Sequence, residues 1–314
     1  MFRSTIEEAE KAWFFYEPLT LLHTYKGLLK LIIDAYSPYR NIAESYSRKV
    51  NRRVYPITEE YLEEKPEVVE QNVALLKNAI ELWRTASRTS DAVAPMLYHY
   101  SWHCFNSFFI YTFFRWEPKH ARSHGIRISR WSDNIEEIEI EFLKQGLFQR
   151  LIDTWALLGT SLVFSPFLPI FENDEINFVS NNYYLLNTFN HLKVKQLLNF
   201  DSGDFERKLH LDLGKKLINC PVLMNSIYLP TDDIRSYLVI FVASNLARYR
   251  PILWNSVLIG ENAVQSNFAL NFRSALMEYT LGAHPTSGLL YQTSQLLRGI
   301  MNRKFEFKKR VVGI

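Results

Sequence analysis

Cysteine is nearly absent from this chain. Only Cys104 and Cys220 occur among 314 residues, far apart and without a Cys-x-x-Cys partner. That excludes a disulfide framework and a zinc ribbon, and it suits a reducing compartment. Glycine is scarce too, at 11, which argues against a loop-rich all-β protein and leaves few backbone positions able to cradle phosphate. Neither charge sign dominates. A formal net charge of +3 means that any nucleic-acid binding must come from a local patch. The chain has no Gly-x-Ser-x-Gly elbow, no Gly-x-x-x-x-Gly-Lys loop and no dinucleotide fingerprint, which counts against the common hydrolase and nucleotide-binding designs. Glu7, Glu8 and Glu10 precede any apolar run, so no signal peptide is expected.

Long spans without charge do occur, at 92–114 and 154–171. The first carries Pro95, His99, His103, Asn106 and several tyrosines, and the second Pro166 and Pro169. These interruptions make buried core helices the better reading than membrane spans. A cytoplasmic protein without membrane contact is the expectation. Apolar residues make up 47% of the chain, with 22 Phe, 17 Tyr and 7 Trp, enough for a substantial core.

The periodicity predicts a mainly α, multi-helix globular fold with one small antiparallel β-hairpin near 126–142. Residues 5–34 read as one or two helices interrupted near Pro18. A basic cluster (Arg48, Lys49, Arg52, Arg53) then passes into an acidic one (Glu59, Glu60, Glu63, Glu64, Glu67), a solvated connector or exposed helix. Pro66 opens a helix whose Val69, Val73, Leu76, Ile80 and Trp83 share one face. A second helix, 94–115, is apolar nearly all round and should sit centrally. Ile126 and Ile128 alternate with polar residues, as do Ile138, Ile140 and Phe142 with Glu137, Glu139 and Glu141, which is the hairpin signal. Further helices are predicted at about 147–160, 182–199, 204–217, 232–248, 262–281 and 286–302. Thr231 starts one of them, and Pro251 ends it or starts the next. The chain reads as a single domain, 1–314, with a weak division near 175.

The run Ala94-Pro-Met-Leu-Tyr-His-Tyr100, His124-Gly125 before the hairpin and Gly146-Leu-Phe148 after it form a distinctive set. So do Arg248-Tyr-Arg-Pro-Ile-Leu-Trp254 and His284-Pro285. In these pieces the chain resembles the bacterial YaaC-like proteins. The resemblance implies a bacterial cytosolic protein with one integrated, largely helical fold, and it implies no reaction.

The strongest local feature is the segment 115–130. Arg115, Lys119, His120, Arg122, His124, Arg127 and Arg130 face a single Glu117. Such a connector is a candidate surface for RNA or another phosphate ligand. The plainer alternative pairs Arg127 with Glu139 or Glu141 across the hairpin and sets Arg115 against the last carbonyls of its helix. Within the segment, Arg115 and His120 have the Arg-x4–6-His spacing of HEPN-type ribonucleases. There the arginine would hold phosphate charge, and His120 or His124 would move a proton. Trp116 and Pro118 depart from that pattern. Arg248 and Arg250 flank Tyr249, a stacking and phosphate-contact combination that doubles as helix capping.

His99 and His103, like His120 and His124, have helix-face spacing, yet core histidines explain the first pair better than a metal does. The acidic ladder Glu137, Glu139 and Glu141 reads as solvent-facing. No cofactor and no metal are expected. The functional expectation is RNA or phosphate binding through the basic connector, extending to HEPN-like cleavage. The alternative is a non-enzymatic interaction module or assembly subunit, with protein partners or copies of itself.

Overall fold

A computed structural model describes residues 13–36, 55–115, 123–143, 145–151, 154, 191–198 and 231–281. Its chain divides into two compact units. The first gathers Met1–Pro38, Ile57–Trp116 and Ser236–Ile314, and the second Tyr39–Pro56 and Glu117–Arg235. The architecture is mainly α with one small antiparallel sheet. Among the described residues no helix is long and apolar enough to cross a membrane.

The first unit begins with a 3-10 turn at Glu17–Thr20, where Pro18 interrupts the chain, followed by helix α1 at Leu22–Tyr36. The acidic stretch forms a short helix α2, Glu59–Glu64, whose Thr58 cap accepts a hydrogen bond from the Tyr61 amide at 3.2 Å. Helix α3, Glu67–Arg88, buries the face expected from its spacing: Val69, Val73, Leu76, Ile80 and Trp83. Against it packs α4, Ala94–Phe113, in which every residue from Phe105 to Phe113 is buried.

Aromatic rings fill the α3–α4 seam. Trp83 stacks on Trp102 at 6.4 Å and 18°, lies 4.7 Å from Tyr98 and meets Trp13 at 6.0 Å. Phe105 takes Trp13 and Tyr16 edge-on, the geometry favoured by ring quadrupoles. Three polar side chains in this core are bonded to one another. Asn72 donates to the Tyr25 hydroxyl at 3.0 Å and to the Tyr111 carbonyl at 3.1 Å, and Tyr25 also meets Thr112 Oγ1 at 3.0 Å. Burial pushes the Tyr25 phenol well up, so it stays protonated and able to donate.

Helix α6 spans Thr231–Tyr249, and its part from Ser236 onward belongs to this unit. Pro251 starts a separate short helix, α7 (Pro251–Ile259), which Gly260 closes in the left-handed conformation at φ 73°. Helix α8, Ala263–Leu281, follows, with Asn262 Oδ1 accepting from the Gln265 amide at its start.

In the second unit β1 (Ile126–Arg130) pairs antiparallel with β2 (Glu139–Phe142), as the alternation predicts. The sheet has a third strand, β3 (His191–Lys193), on the other side of β2, leading straight into helix α5 (Val194–Leu198). This corrects residues 191–193 of the helix predicted over 182–199; residues 194–198 are helical as predicted, and 182–190 lie outside the described residues. Residues 191–193 are too few to show a period, and their extended form follows from the open edge of β2.

The hairpin closes on backbone contact. The Leu147 amide donates to the Ser123 carbonyl at 2.9 Å, the Phe148 amide to the His124 carbonyl at 3.0 Å, and the Leu143 amide to the Gly125 carbonyl at 2.9 Å. Gly125 has φ 76° and Gly146 φ 131°. A Cβ on Gly146 would lie 2.4 Å from the Cα of Gly125, so the crossing admits only glycine there. The division expected near residue 175 and the helices expected at 204–217 and 286–302 lie outside the described residues.

Candidate functional site

The basic connector is described only at its two ends. Lys119, His120 and Arg122 lie outside the described residues. Arg115 belongs to the first unit, whereas His124, Arg127 and Arg130 belong to the second. Arg115 is half-buried just past the end of α4. Its guanidinium lies 5.4 Å from the Tyr61 ring centre, and one nitrogen donates to Thr58 Oγ1 at 3.4 Å. It therefore leans on α2.

In the second unit the strand cations meet carboxylates. Arg127 faces Glu141 in the β1–β2 register and bonds it at 2.5 Å, and Arg130 faces Glu139 with 4.0 Å between charged atoms. On the other side of β2, Glu139 faces Lys193 and Glu141 faces His191. Glu137, in a 3-10 turn just before β2, takes Lys193 at 2.6 Å and Lys195 at 3.0 Å. Hydrogen bonds from Lys193 and then Lys195 hold the Glu137 carboxyl down at about 2, and the Arg127 bond lowers that of Glu141. The acidic ladder is thus a central strand flanked by cations on both edges. Positive charge on the strands is matched locally, which leaves less of it for a phosphate. His124 contributes its carbonyl to the glycine crossing.

Of the two histidines of α4, His99 sits in the core and His103 is half-buried. His99 is buried, with its ring 5.7 Å from Tyr100, 5.9 Å from Tyr237 and 5.5 Å from Phe241, so it helps pack α4 against α6. Burial raises the Cys104 thiol to about 11, far from the range of a reactive thiolate.

The α6–α7 corner is different. Arg248 donates to the Tyr100 hydroxyl at 3.0 Å while its guanidinium lies over the Tyr249 ring, 5.1 Å from the centre. Tyr249 and Arg250 are exposed. Immediately beyond, α7 has two unlike faces. Its inner face is tied down, with Trp254 buried, donating to the Asp91 carbonyl at 3.0 Å and meeting Phe272 edge-on. Ser256 and Val257 are buried beside it, and Ser256 Oγ accepts from the Gln265 amide nitrogen at 2.9 Å. The outer face presents Ile252, Asn255 and Ile259, with Ile252 86% and Ile259 76% exposed. Single exposed aliphatics are ordinary on a protein surface. Two on one helix face, next to an exposed Tyr and Arg pair, make the composition of an interface.

Sequence reasoning singled out Arg248 and Arg250 but missed Ile252 and Ile259. Their i, i+7 spacing is visible in the sequence, yet Leu253, Leu258 and Val257 are equally apolar, and only the packing of Trp254 and Val257 decides which face is outward. Comparison with protein-family models, with curated proteins and with solved structures finds no match to this chain.

Proposed function

We propose that the chain is an interaction module, a subunit that docks a protein partner through the outer face of α7 and the adjoining Arg248–Tyr249 corner. One observation carries this reading: Ile252 and Ile259 stand out from the same side of a helix whose other side is locked by Trp254. Burying such aliphatic side chains is worth ~1.5–3 kcal/mol each, and Tyr and Arg beside them are the residue types enriched at interface centres. A photo-crosslinking side chain at position 252 tests it, with exposed Leu21 as the control site. Protein adducts from position 252 should exceed those from position 21 several-fold in extract of the source cell. Equal yields from the two positions, or adducts to RNA alone, would sink the reading.

A second reading rests on the Arg248, Tyr249 and Arg250 run. An arginine held over an exposed tyrosine ring beside another exposed arginine offers base stacking and phosphate contact to single-stranded RNA. Binding should then weaken by about 0.7 log units per decade of salt for each phosphate contact, and Arg248→Glu with Arg250→Glu should abolish it. HEPN-like cleavage through Arg115 with His120 or His124 belongs to this reading and predicts loss of cutting in His120→Ala. Kinship with YaaC-like proteins is compatible with both readings and supplies no reaction to either.

A further inference from the structure

The outer face of α7 is nearly its own mirror image in sequence. Ile252 and Ile259 share one midpoint, between residues 255 and 256. Arg250 and Glu261, the charged residues just beyond the two ends of α7, share that same midpoint, and both are exposed. Between its ends α7 carries no charged residue, and the exposed residue nearest the centre is Asn255.

From this we infer that the partner docked on α7 is a second copy of the chain, with the two α7 helices packed antiparallel about a two-fold axis near Asn255. The inference rests on the interaction-module reading and names its partner.

A two-fold axis requires a self-complementary surface: where residue i meets residue j, j also meets i, and for antiparallel α7 helices crossing between 255 and 256 such pairs are sequence mirrors. Antiparallel packing of α7 satisfies that for the two outer pairs. Ile252 of one copy meets Ile259 of the other, twice, at points ~10 Å apart along the helices. At each end Arg250 of one copy faces Glu261 of the other, so the rims attract. Asn255 approaches its own copy at the centre. An amide, with both donors and an acceptor, can pair with itself where a charge would repel.

Parallel packing would instead bring like charges together, so the charge order selects the antiparallel register. Helices approach to ~8–10 Å when side chains interdigitate, and Pro251 and Gly260 mark the two ends of the contact. The face is short, a nine-residue helix, so the association belongs to the small, transient class of interface.

Sedimentation velocity on the purified full chain over a concentration series tests this. The chain should show a concentration-dependent dimer, populated at roughly tens of micromolar. Ile252→Asp should weaken it by about tenfold or more, and Arg250→Glu and Glu261→Arg should each weaken it by about tenfold. The double variant Arg250→Glu with Glu261→Arg restores the attraction in reversed sense and should return to within about threefold of the parent. Leu270→Asp, an exposed aliphatic on α8 outside the mirror pattern, should change nothing.

A monomer at every concentration would overturn the inference, as would a double variant no better than the singles. Equal damage from Leu270→Asp would overturn it too. A monomer whose position-252 crosslinker still captures another protein would remove self-docking and leave the module reading standing. Failure of both experiments would remove both.

Discussion

The two units hold their shape by different means. In the first, α3 and α4 press aromatic rings together, and three of the polar groups inside, Asn72, Tyr25 and Thr112, bond one another. In the second, a three-stranded sheet is laced by cations on either side of an acidic central strand and closed by two glycines in backbone contact. Both bury apolar side chains, Ile126, Ile138, Ile140 and Phe148 among them in the second, but the second adds a backbone closure and exposed charge. The first arrangement is sensitive to lost volume, and the second to added volume and to pH.

The largest effect is expected in the aromatic seam. Trp102 is fully buried and stacked on Trp83, so Trp102→Ala should cost ~3–5 kcal/mol. Chemical denaturation checks this, and a loss under about 1 kcal/mol would mean that the seam is not the source of the unit's stability.

The glycine crossing comes next. Gly146→Ala imposes a Cβ on the Gly125 backbone at φ 131°, and the strained backbone alone costs ~1–3 kcal/mol. Amide exchange should speed up across residues 123–143 while α3 and α4 keep their protection. Equal loss in both places would show that the two units unfold together and would break the comparison.

The smallest effect is electrostatic and depends on pH. Glu137 is held at about 2, against an ordinary 4.5, by Lys193 and Lys195. Its folded value is depressed, so its contribution is fully present above about 4.5 and fades as pH falls toward 2. Over that window the Val194 amide, bonded to the Ile138 carbonyl at 2.9 Å, should lose exchange protection. Glu137→Gln should remove this pH dependence. Protection in the parent that stays constant down to pH 2 would show that the lysine pairs do not hold β3.

Much of the fold was legible because local pattern and final burial agree. The face of α3 from Val69 to Trp83 was readable from its spacing, and α4 from its lack of charge. The β1–β2 alternation was equally clear, although it left Arg127 with either Glu139 or Glu141, and only the structure chose Glu141. Strand β3 was not legible, because three residues next to a helical pattern become extended only when β2 offers them an edge. At the candidate site, Arg248 and Arg250 announced themselves by composition. Their setting did not, since Tyr100 lies 148 residues away from Arg248 in the chain and no local signal links them.

By itself, the sequence determined the helical class, the central place of α4, the alternating faces of the hairpin and the mirror spacing of Arg250, Ile252, Ile259 and Glu261. These are properties of neighbours along the chain, governed by periods of 3.6 and 2 residues. Tertiary structure alone decided that Trp254 and Val257 turn inward, leaving Ile252 and Ile259 outside, and that the strand cations meet carboxylates across the sheet. A nine-residue helix with apolar residues on every side has no preferred inner face until the rest of the unit supplies one. In this protein the Asp91 carbonyl and the Phe272 ring supply it by taking Trp254.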